Sequence, residues 1–238
     1  ALLVIIGGAG FFFMGQDTGA VGLATGIAAG EITDENWAPG VISNPEGIGQ
    51  AVVDLSSAYV ANPVNAVTGI NQLDDLDPMI AASVIIGMHD QNQTQAAQFL
   101  LSIGDADELR LEGYLARITE VDAVQAGDIF VSLINENVVD VAAFIEDANQ
   151  GANGQILQAM YVEAAKSDEL VVTQLVNQAA LTPGAIETTA DVLLSIARAD
   201  IDIVAEILGT TSIDSAPIWQ LFVSIDPTAA GVSFVKAH

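Results

Sequence analysis

The chain has 238 residues and a mass of 24.6 kDa, with five Lys and Arg against 31 Asp and Glu and a formal charge of −26. So few cations cannot neutralise a row of phosphates, which excludes nucleic-acid binding and disfavours docking on anionic lipid headgroups. Hydrophobic residues make up 51% and charged residues 15%, against about 25% charged in ordinary soluble domains, so wholesale disorder is excluded as well.

The chain opens with an uncharged apolar run from Ala1 to Gly15, and the first 109 residues hold 13 acidic groups and no Lys or Arg. As a helix this run rises about 22 Å, short of the roughly 30 Å hydrocarbon core of a bilayer. One reading is an anchor completed by residues before Ala1, with Gln16 and Asp17 marking the exit from the bilayer. Another continues the helix to Gly30, where Gly15, Gly19, Gly22, Gly26 and Gly30 give the small-residue spacing that lets membrane helices pack closely. The plain alternative is a buried helix or strand of a soluble domain. If residues 1–16 enter a bilayer, the lack of cations after them places the bulk of the protein outside the cytoplasm, which is the periplasm in a bacterium.

Residues 31–72 are broken by Pro39, Pro45 and Pro63 and by several Gly, and predict a connector with one short amphipathic helix at Gly49–Ala61. Trp37 suits either an interfacial anchor or packing on the domain. From residue 73 to 238 a sustained 3.6-residue periodicity predicts helices at 77–88, 92–103, 106–117, 121–134, 138–148, 153–165, 168–180, 184–197, 200–208, 215–224 and 227–236. Asp77 before Pro78, Asp168, Thr182 before Pro183, Ser215 before Pro217 and Asp226 before Pro227 are capping signals. The expected fold is all-α, with an N-terminal membrane helix followed by an α-solenoid-like array of short antiparallel helices.

The segments also resemble one another. Leu76-Asp-Pro-Met-Ile-Ala-Ala, Val121-Asp-Ala-Val-Gln-Ala-Gly and Ile225-Asp-Pro-Thr-Ala-Ala-Gly share an apolar residue, an Asp and then small residues, and a second helix is expected about 17 positions after the first. This pattern resembles the helical repeats of the MgtE N-terminal domain and of related flagellar motor modules, over about residues 73–238. The resemblance implies a right-handed superhelix of short helices used for protein contacts. The transporter role does not follow, because here the apolar segment comes first and no CBS-like strands come after.

Cys is absent and only His89 and His238 are present, which removes thiolate chemistry, His-based triads and multi-His metal sites. His89 falls at a helix end, where it would favour the C-terminal dipole. Asp74, Asp75 and Asp77 form one acidic group and Asp105, Asp107 and Glu108 another, with Asp200 and Asp202 a third. None follows a calcium-loop pattern, so capping explains them first and weak cation binding second, with Asp74, Asp75, Asp77, Asp105 and Asp107 the positions for such a cation. No catalytic residue and no cofactor are expected. The leading expectation is a non-enzymatic accessory or scaffold subunit, joined to an integral-membrane complex of respiratory, photosynthetic or motor type and contacting the lipid bilayer through residues 1–16. A divalent-cation-responsive regulatory module and a soluble all-helical enzyme are the alternatives.

Overall fold

A computed structural model describes residues 32, 36–44, 47–148, 153–179, 181, 185–211 and 216–237. They form thirteen helices and no strand among the described residues: α1 (Trp37–Ser43), α2 (Ile48–Ala61), α3 (Pro63–Leu76), α4 (Pro78–Gln91), α5 (Gln93–Ala106), α6 (Glu108–Val121), α7 (Ala123–Ala148), α8 (Gly154–Ser167), α9 (Glu169–Ala179), α10 (Ala185–Ala199), α11 (Ile201–Thr210), α12 (Ala216–Ile225) and α13 (Pro227–Ala237). α7 is two arms, because Asn137 breaks it with an extended backbone.

The unit of this fold is fifteen residues long. Asn62, Asp77, Asn92, Asp107, Asp122 and Asn137 recur at that spacing, and each is the single non-helical residue between two 14-residue helices or, at Ala123–Ala148, between the two arms. These residues hold φ between about −148° and −160°, so the chain turns a corner in one residue without a strained conformation. Asp77 shows how the corner is satisfied. Its backbone N–H donates to the Leu73 carbonyl and completes α3, its own carbonyl accepts from Ala81 N–H and starts α4, and its carboxylate accepts from Met79 and Ile80 N–H. One Asp or Asn therefore closes one helix and caps the next, a position where replacement by Ala costs about 1 kcal/mol.

The rest of the unit follows from helical periodicity. The fourth, eighth and eleventh residues after each corner are buried, as Ala66, Ile70 and Leu73 after Asn62, Ala81, Ile85 and Met88 after Asp77, and Ala96, Leu100 and Ile103 after Asn92. The fourth residue is Ala after Asn62, Asp77, Asn92 and Asp122, and it is Leu111 after Asp107 and Val141 after Asn137. Each helix packs on the one after the next, and all but α1 and α11 also pack closely on the next, so the buried faces join into one core running from Ile32 to Ala230. Alternate corners share an edge: Arg110 beyond the Asp107 corner reaches Asp75 at the Asp77 corner.

Several expectations change. Residues 31–72 are not a connector here, since α1, α2 and most of α3 lie within them and bury Trp37, Ala51, Val52, Leu55 and Ile70 or their neighbours in the shared core. The helix expected at Gly49–Ala61 is α2. The predicted starts fall within two residues of the observed ones, but ends such as 88, 103 and 117 fall short of Gln91, Ala106 and Val121, because the links are single residues. The 17-residue offset is corrected to fifteen. The caps at Asp77, Asp168 and Asp226 hold. Trp37 packs inside the domain with its indole N–H 3.4 Å from Asp54. The caps expected at Thr182 and Ser215, the apolar run 1–16 and the glycines 15, 19, 22, 26 and 30 lie outside the described residues. Among the described residues no helix is long and apolar enough to cross a membrane.

Candidate functional site

Because the repeat is regular, polar residues set into its buried columns meet partners at a fixed distance along the chain. Counting from Gly47, the residue before α2 that stands fifteen positions ahead of Asn62, the twelfth residue of one step faces the tenth residue three steps later. This gives Tyr59 to Ser102 at 3.3 Å, Asp74 to Arg117 at 2.9 Å and His89 to Ser132 at 3.0 Å, each 43 residues apart. Three chemically different pairs thus serve as the same clasp at successive steps. The fourth residue of that column is Gly104, which carries no side chain, and the ladder stops there.

The middle clasp belongs to an ion cluster. The Asp74 side chain is only 7% exposed and lies between Arg117, whose Nη1 is 2.9 Å from Oδ1, and Arg110, whose Nη1 is 3.4 Å from Oδ2. Arg110 also donates to Asp75 at 3.0 Å. Burial pushes the Asp74 carboxyl up, while Arg117 and then Arg110 pull it back and the charge of Asp75 adds to the rise. Above this cluster the Tyr114 hydroxyl donates to Asn71 at 3.0 Å, and burial drives its pKa well above the usual phenol range. Two of the five cations of the chain are thereby spent on internal packing.

His89 is buried in the last turn of α4, and burial lowers its pKa against the opposing charge of Asp128. His89 thus stands in the last turn of α4 as expected from sequence, as a buried, hydrogen-bonded side chain whose charged form burial disfavours. The Ser132 hydroxyl donates to the Asp128 backbone carbonyl, and the Asp128 carboxylate accepts from Ser167 at 2.6 Å. These contacts tie α4, α7 and α8 together without placing the Asp128 carboxylate on the imidazole as in a hydrolytic triad. Glu112, also buried, accepts from the backbone and side-chain N–H of Asn153 and so fixes the start of α8 against α6.

Where the ladder stops, a groove of about 190 Å³ opens. Its walls are Leu101, Gly104 and Asp105 of α5, Glu108 and Leu111 of α6, Leu133 of the first arm of α7, and Asp140, Val141, Ala143 and Phe144 of the second arm. The floor is apolar and three carboxylates stand at its rim. Among the described residues no Lys or Arg pairs with Asp105 or Asp140.

The acidic groups singled out in the sequence divide by role. Asp77 and Asp107 cap α4 and α6, Asp74 and Asp75 bind Arg110, and Asp105 borders the groove. Asp200 caps α11 through the Asp202 backbone N–H. Asn92, in a glycosylation-like triplet, caps α5 through Gln95 N–H. Among the described residues no group of three acidic or His side chains stands close enough to hold a metal ion. A carboxyl pair that the sequence did not flag lies between α9 and α11: hydrogen bonding with Glu206 is the main cause that raises the pKa of Glu169, and burial and the charges of Glu206 and Asp168 add to it.

Both corners beside the groove carry exposed apolar residues two places on, Leu109 at 77% and Val139 at 54% exposure. Val64, Met79, Val124 and Leu170 hold the same place at other corners and are exposed too. Comparison of the chain with protein-family models, with curated proteins and with solved structures gives no match.

Proposed function

We propose that the chain is a non-enzymatic scaffold or accessory subunit that binds protein partners along the edges of its helical array. The observation that carries this reading is the repeated corner surface. All of these corners but that of Val64 set one exposed apolar residue near acidic residues, as Met79 near Asp75 and Leu109 near Asp105 and Asp107, so a partner meets a periodic apolar and anionic ridge. The resemblance of residues 73–238 to helical repeats used for protein contacts agrees with it. Residues 1–16 anchor the array to a membrane complex, and the absence of cations before Arg110 sets the array outside the cytoplasm.

The test is purification from the native membrane in mild detergent, with identification of the proteins that travel with the chain. Stoichiometric partners support the reading. Recovery of the chain alone, or its release by carbonate or high salt without detergent, removes the partner claim or the anchor claim respectively.

A second reading, as a module responsive to divalent cations, draws on the Glu169 and Glu206 pair, whose shared hydrogen bond a cation would replace. Thermal melts in millimolar Mg²⁺ or Ca²⁺ test it. A shift no larger than that in matched monovalent salt ends it.

A further inference from the structure

The groove acquires a specific meaning when it is laid over the step that precedes it by two repeat units, or thirty residues. Asp75 becomes Asp105, Arg110 becomes Asp140, Asp74 becomes Gly104, Asn71 becomes Leu101 and Tyr114 becomes Phe144. At the earlier step the Arg110 guanidinium crosses from α6 to lie 3.0 Å from Asp75 and 3.4 Å from Asp74. At the later step the first acid is kept and the guanidinium is replaced by a second acid. The inner acid has become Gly104, and Leu101, Gly104, Asp105, Asp140 and Phe144 all line the open groove. The molecule therefore contains both the empty site and an example of what fills it.

We infer that the groove bordered by Asp105 and Asp140 is a socket for the side chain of an arginine carried by a partner protein. The inference rests on the reading of the chain as a partner-binding array. Charge complementarity selects a cation, since Asp105 and Asp140 have no Lys or Arg partner among the described residues. Size selects one side chain: about 190 Å³ is below the roughly 300–1,000 Å³ of pockets for drug-sized molecules. Arginine suits the walls better than lysine. Its planar head can bridge two carboxylates and lie on the Phe144 ring, while its methylene stem covers Leu101 and Leu111. Leu109 and Val139, exposed on either side, meet apolar residues that flank the arginine in the partner.

The test uses the full chain in mild detergent, titrated with the peptide acetyl-Leu-Leu-Arg-Leu-Leu-amide and with the same peptide bearing citrulline, which keeps the shape and loses the charge. Amide resonances are followed by NMR. The arginine peptide shifts Gly104, Asp105, Val141 and Phe144, and citrulline weakens binding by about fivefold or more, the worth of one half-exposed ion pair. Asp140→Arg supplies the missing guanidinium from within and abolishes these shifts, whereas Glu120→Arg, at an exposed position on another corner, preserves them. Should Asp140→Arg fail to fold, Asp105→Asn takes its place and weakens binding by a similar factor.

Equal binding of the citrulline peptide overturns the inference, as does unchanged binding by Asp140→Arg, a set of shifts away from the groove, or no shift at millimolar peptide. Co-purification from the native membrane answers the broader reading separately. Partners recovered with a chain whose groove ignores the peptide refute the socket alone, and a groove that binds the peptide in a chain without partners refutes the array reading alone.

Discussion

The step closed by Arg110 and the step left open at Gly104 have the same backbone and opposite side-chain chemistry. Both are built from a 14-residue helix, a one-residue corner and the helix three corners on, and the corner hydrogen bonds at Asp77 and Asp107 are alike. The first is filled by a carboxylate between two guanidinium groups, whereas at the second no Lys or Arg among the described residues pairs with Asp105 or Asp140. The difference teaches that stability of the array resides in the corners and the apolar columns. The clasp positions are then free to vary, as Tyr59 with Ser102, Asp74 with Arg117 and His89 with Ser132 demonstrate.

The strongest way to break this picture is to disturb the backbone packing and not a clasp. A Cβ on Gly127 would stand 2.6 Å from the Ala164 backbone nitrogen and 2.7 Å from the Glu163 carbonyl carbon, which cannot move without shifting α8. Gly127→Ala should therefore cost about 3 kcal/mol in urea unfolding, while Gly104→Ala, whose Cβ meets only the tip of Leu111 at 2.8 Å, should cost well under about 1 kcal/mol. Equal costs would mean that the two glycines are not doing different jobs.

Next in size is the closed step itself. Asp74→Ala leaves Arg110 and Arg117 facing each other, but both are about one-third exposed and partly screened. The expected loss is about 2 kcal/mol, between that of a buried pair and that of a surface pair. Combining it with Arg117→Ala should recover part of the loss in a double-mutant cycle.

A smaller effect separates the histidine clasp from the tyrosine clasp. The folded chain lowers the His89 pKa below its ordinary 6.5, so between those two values the unfolded chain binds more protons. Stability from neutral His89 is complete above about pH 6.5 and declines as pH falls through that window. The wild type should lose about 1 kcal/mol more than His89→Gln between pH 7 and pH 5 in denaturant titrations, the scale of one buried hydrogen bond. Parallel pH profiles would show that His89 does not titrate with folding.

The smallest effect comes from copying the closed step onto the open one. Gly104→Asp with Asp140→Arg restores the arrangement of Asp74, Asp75 and Arg110, and should change the unfolding free energy by no more than about 0.5 kcal/mol, because the new pair remains half-exposed. Its value lies in the contrast: a nearly silent change in stability joined to loss of arginine-peptide binding.

Much of the fold was legible in the sequence. Alanines following Asp-Pro and the 3.6-residue periodicity gave the helices and their order. The fifteen-residue unit is equally present in Asn62, Asp77, Asn92, Asp107, Asp122 and Asn137, but periodicity alone does not reveal it, because helices are usually joined by links of several residues and these links are one residue long. The site was far less legible. Asp75 and Asp105 look alike in sequence, and their fates diverge only because residues 35 positions further on, Arg110 and Asp140, carry opposite charges. Such a register appears once the three-corner spacing is known. Likewise, nothing local distinguishes Gly104 from the other glycines.

The most direct test of the central claim places a photo-crosslinking residue at Ala143, an exposed wall of the groove, in the chain expressed in its native cells. The account predicts crosslinks to a partner segment in which an arginine is flanked by apolar residues, and their loss when Asp140→Arg is added. Crosslinks to segments without a cation, or crosslinks that persist unchanged with Asp140→Arg, would contradict it.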